Sequence, residues 1–193
     1  ISVFETVDES GNKINQKYMN ICILVFFLIL FQGTVGWYMV KSGLVNDITV
    51  SHYRLSLHLI IAFTIISIIF WLIINIKRKT FKIFFDLSKK NLPFLFLIII
   101  IYLQIILGAF VSGLDAGKIY QTWPMMGYSY FPNDFVLENF RNFFNFDNHS
   151  LMQFYHRNLA YLITVYIFCL YLNIYKKKIK RLYKPLKLVL FSL

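Results

Sequence analysis

Long apolar segments alternate with short polar ones along most of the chain. Four segments contain no charged residue, namely 18–40, 55–76, 91–114 and 158–175, with lengths of 23, 22, 24 and 18 residues. An α-helix rises about 1.5 Å per residue, so about 20 apolar residues cross the roughly 30 Å hydrocarbon core of a bilayer. The pattern predicts an all-α fold, a polytopic membrane helical bundle with four full transmembrane helices and a truncated fifth that begins at residue 186.

The positions of polar residues divide this bundle into two parts. Residues 1–16 form a polar N-terminal extension. Residues 17–90 hold two spans, 18–40 and 55–76, and end in a basic connection at 77–90. Residues 91–193 hold the spans 92–112 and 151–175, joined by an outer loop at 113–150 and followed by a second basic connection at 176–187.

The distribution of charge predicts the orientation of these helices. The net charge is +11, and 15 of the 20 basic residues precede the first span or lie in the two basic connections. Such an alternation follows the positive-inside rule, so we expect both connections on the cytoplasmic or matrix side. The same observation argues against nucleic acid as a partner. Cys22 and Cys169 lie inside spans, and we expect them to be buried thiols without a disulfide.

Two histidines inside the predicted spans are candidates for a functional site. An ionisable side chain within a bilayer is a functional candidate because its burial in hydrocarbon is costly. His58 lies one turn after Arg54, and His156 is adjacent to Arg157. Imidazole ligates haem iron, and an arginine can hold a haem propionate, so these pairs suit haem binding. The alternative is that each histidine bonds across helices while its arginine reaches the headgroups. His52 and His149 lie at the outer boundary, where we expect them to be solvated.

A weak internal repeat links the two parts of the chain. Gln32 and Gly36 lie one turn apart on one outward-going helix, and Gln104 and Gly108 lie one turn apart on another. Each helix ends in Ser-Gly-Leu and is followed by a returning helix with a histidine and an arginine near its outer end. Gly33 and Gly36 could let either a neighbouring helix or a flat ligand approach closely, and we favour helix packing. No span holds Asp, Glu or Lys, which argues against a proton-coupled transporter.

Four motifs in this order resemble the heme A synthase family, in the branch found in mitochondria and alphaproteobacteria. They are 31–44 (FQGTVGWYMVKSGL), 51–59 (SHYRLSLHL), 108–120 (GAFVSGLDAGKIY) with 123–127 (WPMMG), and 153–157 (QFYHR). The resemblance covers roughly residues 18–175. It implies a pseudo-symmetric protein of two four-helix bundles, each with a haem site between two histidines. Residues 17–90 would be the second half of the N-terminal bundle, and residues 91–193 would be the first part of the C-terminal bundle.

The resemblance also implies a reaction and a set of ligands. The family oxidises the C8 methyl of heme O to the formyl group of heme A by successive hydroxylations, and cytochrome c oxidase uses the product. His58 would ligate the substrate haem, His156 would ligate haem b, and Arg54 and Arg157 would contact propionates. A heme O synthase and an electron donor are the implied partners, in the bacterial inner or mitochondrial inner membrane.

The same resemblance implies that this chain is the central piece of such an enzyme. The acidic catalytic residue of the family belongs to a helix that should precede residue 18, and residues 1–16 do not resemble it. The fourth histidine belongs to a helix beyond residue 193. We therefore expect this piece alone to be inactive, and we assign no catalytic residue within it. A non-enzymatic b-type haem protein that carries electrons is the alternative function, and a bundle whose histidines only pack is a third.

Overall fold

The computed structural model describes residues 14–43, 50–78, 87–134 and 140–192. Within these ranges the chain forms five α-helices and three short 3-10 helices, and it contains no β-strand. The α-helices are α1 (Ile14–Gly43), α2 (His52–Arg78), α3 (Leu92–Gly113), α4 (His149–Lys176) and α5 (Tyr183–Ser192). The 3-10 helices are Ala116–Lys118, Phe140–Phe144 and Lys180–Leu182.

The prediction of an all-α membrane bundle is confirmed. Helices α1 to α4 are each long and apolar enough to cross a membrane, and α5 is shorter. Helix α2 begins at His52, three residues before the predicted span, because backbone hydrogen bonding continues through the polar residues of its first turn. Helix α5 begins at Tyr183, three residues before the predicted position, and Pro185 lies in its first turn, where proline is tolerated. Residues 1–13 and 79–86 of the predicted extension and first connection lie outside the described residues.

The chain divides into two compact units. The first comprises the described residues of 1–50 and 57–86, which are α1 and most of α2. The second comprises residues 51–56 and the described residues of 87–193, which include α3, α4 and α5. The predicted assignment of 17–90 and 91–193 to two different four-helix bundles stays a prediction.

Side-chain packing in the second unit joins α3 to α4 and α4 to α5. Three buried clusters lie along these contacts, and they are formed by Ile100, Ile163 and Ile167, by Phe110, Leu151 and Met152, and by Leu170, Ile174 and Leu186. Tyr166 also donates a hydrogen bond of 2.9 Å to the carbonyl oxygen of Pro93. Van der Waals packing and interhelical hydrogen bonds are the interactions that hold helices together in a bilayer. They fix the outer ends of α3 and α4 next to each other.

Local capping determines where these outer ends lie. Helix α3 ends at Gly113, and Asp115 follows with a φ of 54°, a left-handed conformation that aspartate tolerates. Helix α4 begins after Asn148, whose side-chain oxygen accepts a 2.8 Å hydrogen bond from the backbone amide of Leu151. This is a standard N-cap for a helix start. As a result, His156 lies about two turns inside α4.

Candidate functional site

The imidazole of His156 lies against a glycine of the neighbouring helix. A Cβ atom placed on Gly108 of α3 would lie 3.1 Å from Cε1 and 3.6 Å from Nδ1 of His156. Ordinary van der Waals contact between carbon atoms begins at about 3.5 Å, so a side chain at position 108 would force the ring to shift by a few tenths of an ångström. Gly108 therefore provides the space that the imidazole occupies.

Gln104 contacts the same histidine from one turn away on α3. Its amide nitrogen Nε2 donates a 3.1 Å hydrogen bond to the carbonyl oxygen of His156 and lies 3.4 Å from the ring nitrogen Nε2. Nδ1 of His156 is buried and has no hydrogen-bond partner among the described residues. One ring nitrogen therefore faces an amide, and the other is free of any partner within this part of the chain.

The first unit repeats the arrangement of histidine and glycine. A Cβ atom placed on Gly36 of α1 would lie 3.1 Å from Cε1 and 3.5 Å from Nδ1 of His58 on α2. Nδ1 of His58 is also buried without a hydrogen-bond partner in the described ranges. The distances match those at His156 to within 0.1 Å. The interpretation of Gly36 as a helix-packing residue is confirmed, and its contact is with His58. The same interpretation of Gly33 is wrong, since no described residue lies within 4 Å of a Cβ atom at that position.

These features fit axial ligation of haem iron. A buried imidazole nitrogen without a partner is costly in an apolar environment unless it binds a ligand. Neutral imidazole is a common ligand of haem iron, and helix pairs in a bundle can hold it. The assignment of His58 and His156 as haem ligands stays a prediction, and each of them lies in a separate unit of the chain.

Arg157 lies next to His156 and holds the outer loop. Its guanidinium donates hydrogen bonds of 2.6 Å to the carbonyl oxygen of Tyr120 and 2.8 Å to that of Thr122. A guanidinium has five N–H donors, so these two bonds do not exhaust it. Its predicted contact with a haem propionate stays a prediction, as does that of Arg54, which is half-buried on α2.

Gln153 holds the same loop from a buried position, with 4% of its surface exposed. Its side-chain oxygen accepts a 3.3 Å hydrogen bond from the amide of Tyr120, and its nitrogen donates to the carbonyl oxygens of Tyr120 at 2.9 Å and Gly117 at 3.4 Å. No role for Gln153 was predicted from the sequence. Gln153 is a polar residue one helical turn before Arg157, and this spacing could have indicated that both side chains contact the same loop.

A carboxylate in the outer loop extends this network. Asp134 accepts hydrogen bonds from the Tyr120 hydroxyl at 2.6 Å and the Ser150 hydroxyl at 2.5 Å. Partial burial favours the neutral acid, but the bonds from Ser150 and Tyr120 outweigh it and hold the pKa of Asp134 below its ordinary value. Burial and the bond to this carboxylate raise the pKa of the Tyr120 hydroxyl. Tyr120 is therefore held through its amide, its carbonyl and its hydroxyl.

The two remaining histidines, His52 and His149, differ in how far they are exposed. His149 is exposed, as expected. The expectation of a solvated His52 is wrong, because only 7% of its surface is exposed. The backbone of His52 lies close to Gly113, where a Cβ atom would be 2.8 Å from its Cα, and its Nε2 lies 3.3 Å from a carboxylate oxygen of Asp147. The close approach of Gly113 thus buries His52, which the sequence predicts to lie at the boundary of the second span.

Comparisons with known proteins extend these observations. A family model described as cytochrome oxidase assembly protein, COX15-CtaA, matches residues 6–193. Over 161 residues the chain is 46% identical to a heme A synthase of Pelagibacter ubique, covering 83% of this chain and 47% of that protein. It is 41% identical over 165 residues to a heme A synthase of Rickettsia bellii, covering 84% and 48%. The chain thus spans about half the length of these relatives. No solved structure matches it.

Proposed function

Because the chain belongs to the COX15-CtaA family of cytochrome oxidase assembly proteins, we propose that the complete protein is a heme A synthase. The reaction would oxidise the C8 methyl of heme O to the formyl group of heme A. Proteins named heme A synthase match most of this chain at 41–46% identity. The observation in the chain itself that supports the proposal is the pair of buried histidines, each facing a glycine of the neighbouring helix.

The two histidines have different roles in this proposal. His156 on α4 holds haem b as the redox cofactor, and His58 on α2 holds the substrate heme O. Both have a buried ring nitrogen that is not used by another described residue, which suits an axial ligand. When bound, haem b supplies one-electron transfer to and from its iron. The residues of this chain bind and orient the two haems and exclude water from their imidazoles.

The basic and polar residues around these histidines support haem orientation. Arg54 and Arg157 lie toward the outer end of their helices and would contact haem propionates by charge-assisted hydrogen bonds. Arg157 also fastens the outer loop through Tyr120 and Thr122, so it would link the loop to the cofactor site. The carboxylate that acts in the oxidation would come from outside the residues that the structure describes.

The setting of the reaction follows from the family and the helices. The protein is an integral membrane protein with four apolar helices in the described residues that are long enough to span a bilayer. The proposed location is a bacterial inner membrane or the mitochondrial inner membrane, with the connections 77–90 and 176–187 on the cytoplasmic or matrix side. A heme O synthase would supply the substrate, an electron donor would reduce haem b, and cytochrome c oxidase would use the product.

Haem analysis of membranes tests the proposed activity. The full-length protein is produced together with a heme O synthase, and the haems are extracted and identified by mass spectrometry. Heme A that forms only when the full-length protein is present supports the proposal. Heme O that stays unconverted although haem b is bound and an electron donor is supplied would favour a b-type electron carrier.

Variants of the histidines test the assignment of the two sites. His156→Ala in the full-length protein is expected to remove the α and Soret bands of haem b from the reduced-minus-oxidised spectrum. His58→Ala is expected to keep those bands and to abolish the conversion of heme O. His149→Ala is the matched control, since this histidine is exposed at the first residue of α4. Unchanged bands in His156→Ala, or heme A formed by His58→Ala, would contradict the assignment.

A further inference from the structure

The turn between α4 and α5 carries a concentrated positive charge. Seven basic residues lie within residues 176–187, and residues 148–193 contain no aspartate or glutamate. Six of the seven are lysines with exposed side chains, namely Lys176, Lys177, Lys178, Lys180, Lys184 and Lys187. In the described part of the chain, no carboxylate pairs with any of these lysines. Like charges this close repel one another, so the turn attracts anions.

Lys178 adopts a backbone conformation that usually belongs to glycine. Its φ is 55°, directly after the C-cap residue of α4. Its amide donates a 3.0 Å hydrogen bond to the carbonyl oxygen of Tyr175. The next amide, that of Ile179, donates at 3.3 Å to the carbonyl oxygen of Ile174. These two bonds define a Schellman helix end, in which the left-handed position is most often glycine. Because a side chain there costs free energy, helix termination does not explain a lysine at this position.

The lysine ammonium groups are also not needed to complete the end of α4. The carbonyl oxygens of Ile174 and Tyr175 already accept backbone amides, and that of Tyr175 accepts a further 3.2 Å hydrogen bond from the Tyr183 hydroxyl. Cations do interact favourably with the dipole at a helix C-terminus, but this effect is confined to the last turn. Lys180 and Lys184 lie beyond that turn, so the helix dipole does not account for them.

Aromatic and apolar side chains lie on either side of the charged turn. The rings of Tyr171 and Tyr175 are stacked 6.3 Å apart, and the ring of Tyr183 lies 5.5 Å from that of Tyr175. Tyrosine is enriched at the depth of the lipid headgroups, so this cluster favours a turn at the level of the phosphates. After the lysines, Leu188 and Phe191 of α5 are 71% and 80% exposed. A ligand that contacts both surfaces needs an anionic head and an apolar tail.

We propose that the turn between α4 and α5 binds the phosphodiester headgroup of an anionic phospholipid. The lysine ammonium groups donate charge-assisted hydrogen bonds to the phosphate oxygens, and the acyl chains lie against the exposed apolar side chains of α5. A free phosphate would leave this apolar surface uncovered, and a nucleic acid has no apolar tail to cover it. The inference does not depend on the proposed reaction, because it uses no residue of the two histidine sites.

Native mass spectrometry of the full-length protein in detergent tests this inference, because it measures the binding of single lipid molecules. Three probes separate charge from apolar contact. Dioleoyl phosphatidylglycerol is anionic, dioleoyl phosphatidylcholine has the same chains and phosphodiester but no net charge, and glycerol 3-phosphate is anionic without chains. We expect phosphatidylglycerol to bind more tightly than phosphatidylcholine. We also expect that an equal concentration of glycerol 3-phosphate does not displace it.

Variants of the lysines locate the site. Each lysine near an anionic lipid contributes about fivefold in affinity. Lys178→Gly and Lys178→Gln should therefore each bind phosphatidylglycerol about fivefold more weakly, and the Tm of Lys178→Gly should be the higher of the two because glycine suits the left-handed backbone. Replacing Lys177, Lys178 and Lys180 together by glutamine should weaken binding by about 100-fold. Lys118→Gln, which removes an exposed lysine of the outer loop, is the matched control and should bind like the unchanged protein.

Several outcomes would overturn the inference. Equal affinities of the unchanged protein for the two phospholipids would show that the charge of the headgroup is not recognised. Displacement of phosphatidylglycerol by glycerol 3-phosphate would indicate a site for free phosphate, and displacement by a short single-stranded DNA would indicate a nucleic-acid site. A Lys178→Gly protein that binds phosphatidylglycerol as tightly as Lys118→Gln would place the lipid elsewhere. This last comparison does not depend on a destabilised variant, since glycine favours the backbone conformation at position 178.

Discussion

The imidazole of His156 lies so close to Gly108 that a methyl group on this glycine would be 3.1 Å from Cε1 of the ring. The same distance separates the corresponding atoms of Gly36 and His58 in the other unit. In both places the residue that shapes the histidine site does so by lacking a side chain. We therefore expect alanine at either glycine to displace the imidazole that faces it.

Gly108→Ala should displace the His156 ring and reduce haem b occupancy. Overpacking of a contact typically costs about 1–3 kcal/mol of folding free energy. If the haem-bound state alone carries this cost, haem affinity falls by up to about 150-fold. Titration of the purified full-length protein with haemin, followed at the Soret band, measures this loss. Gly33→Ala is the control, because nothing lies within 4 Å of a Cβ atom at that position. In a helix this change should raise stability by up to about 1 kcal/mol, and equal haem affinities in the two variants would contradict the prediction.

Arg157→Lys should loosen the outer loop. A lysine ammonium is a point charge and lacks the planar fork that reaches the carbonyl oxygens of both Tyr120 and Thr122. Loss of one hydrogen bond to a charged donor costs about 1.5–3 kcal/mol, so local opening should rise about 10- to 100-fold. Trypsin cleavage after the exposed Lys118 measures this opening. Arg141→Lys, an exposed arginine in the same outer region, should leave the cleavage rate unchanged.

Gln153→Leu should expose the backbone of Tyr120 to solvent exchange. The substitution fills a similar volume but leaves the Tyr120 amide without its side-chain acceptor, at a cost of about 1–3 kcal/mol for a buried donor. Hydrogen exchange of that single amide, followed by nuclear magnetic resonance, is expected to accelerate. Gln121→Leu changes an exposed glutamine one residue away and should have no effect on it. Retained protection of the Tyr120 amide in Gln153→Leu would mean that another group holds the loop.

The outer loop should lose stability in acid because of Asp134. Its pKa in the folded protein lies below the ordinary value of 3.8, so the folded state favours the ionised form. This contribution is fully present above about pH 5 and is lost as the pH falls through the ordinary value toward the lower folded value. The difference in Tm between the unchanged protein and Asp134→Asn should therefore be largest near neutrality and should shrink toward pH 2. A difference that stays constant with pH would show that the carboxylate charge is not involved.

Asp115→Asn serves as the control for this pH dependence. Asp115 pairs with Lys118 at 2.7 Å, but both side chains are mostly exposed. An exposed ion pair contributes little to stability. The change in Tm for Asp115→Asn should be small at neutral pH and in acid.

The sequence predicts the helices well because the bilayer imposes a simple rule on it. A charge-free stretch long enough to cross hydrocarbon must satisfy its backbone internally, and a helix does so. The charge-free parts of the four spans could be placed from this rule alone. His58 lies within one of them, and His156 lies two residues before another. The helix ends were less well predicted, since α2 extends through polar residues at its outer end.

The contacts that make up the site could not be predicted from the same pattern. Gln104 and His156 are 52 residues apart, and Tyr120 and Gln153 are 33 apart. Such contacts depend on the rotation of α4 about its axis and on the path of the loop, and a hydrophobic pattern determines neither. The burial of His52 was missed for a related reason, because it depends on a close approach to Gly113.

The attachment of the outer loop to α4 determines the rotational setting of that helix. Ser150, Gln153 and Arg157 follow one another at intervals of three and four residues, so they form one stripe along α4. Gln153 and Arg157 bind the loop at residues 117–122, and Ser150 donates to Asp134, the carboxylate that accepts from the Tyr120 hydroxyl. A turn of α4 by a single residue, about 100°, would separate all three from their partners at once. The hydrogen bonds to the loop are therefore satisfied at one rotational position of α4. In that position the His156 ring contacts Gly108.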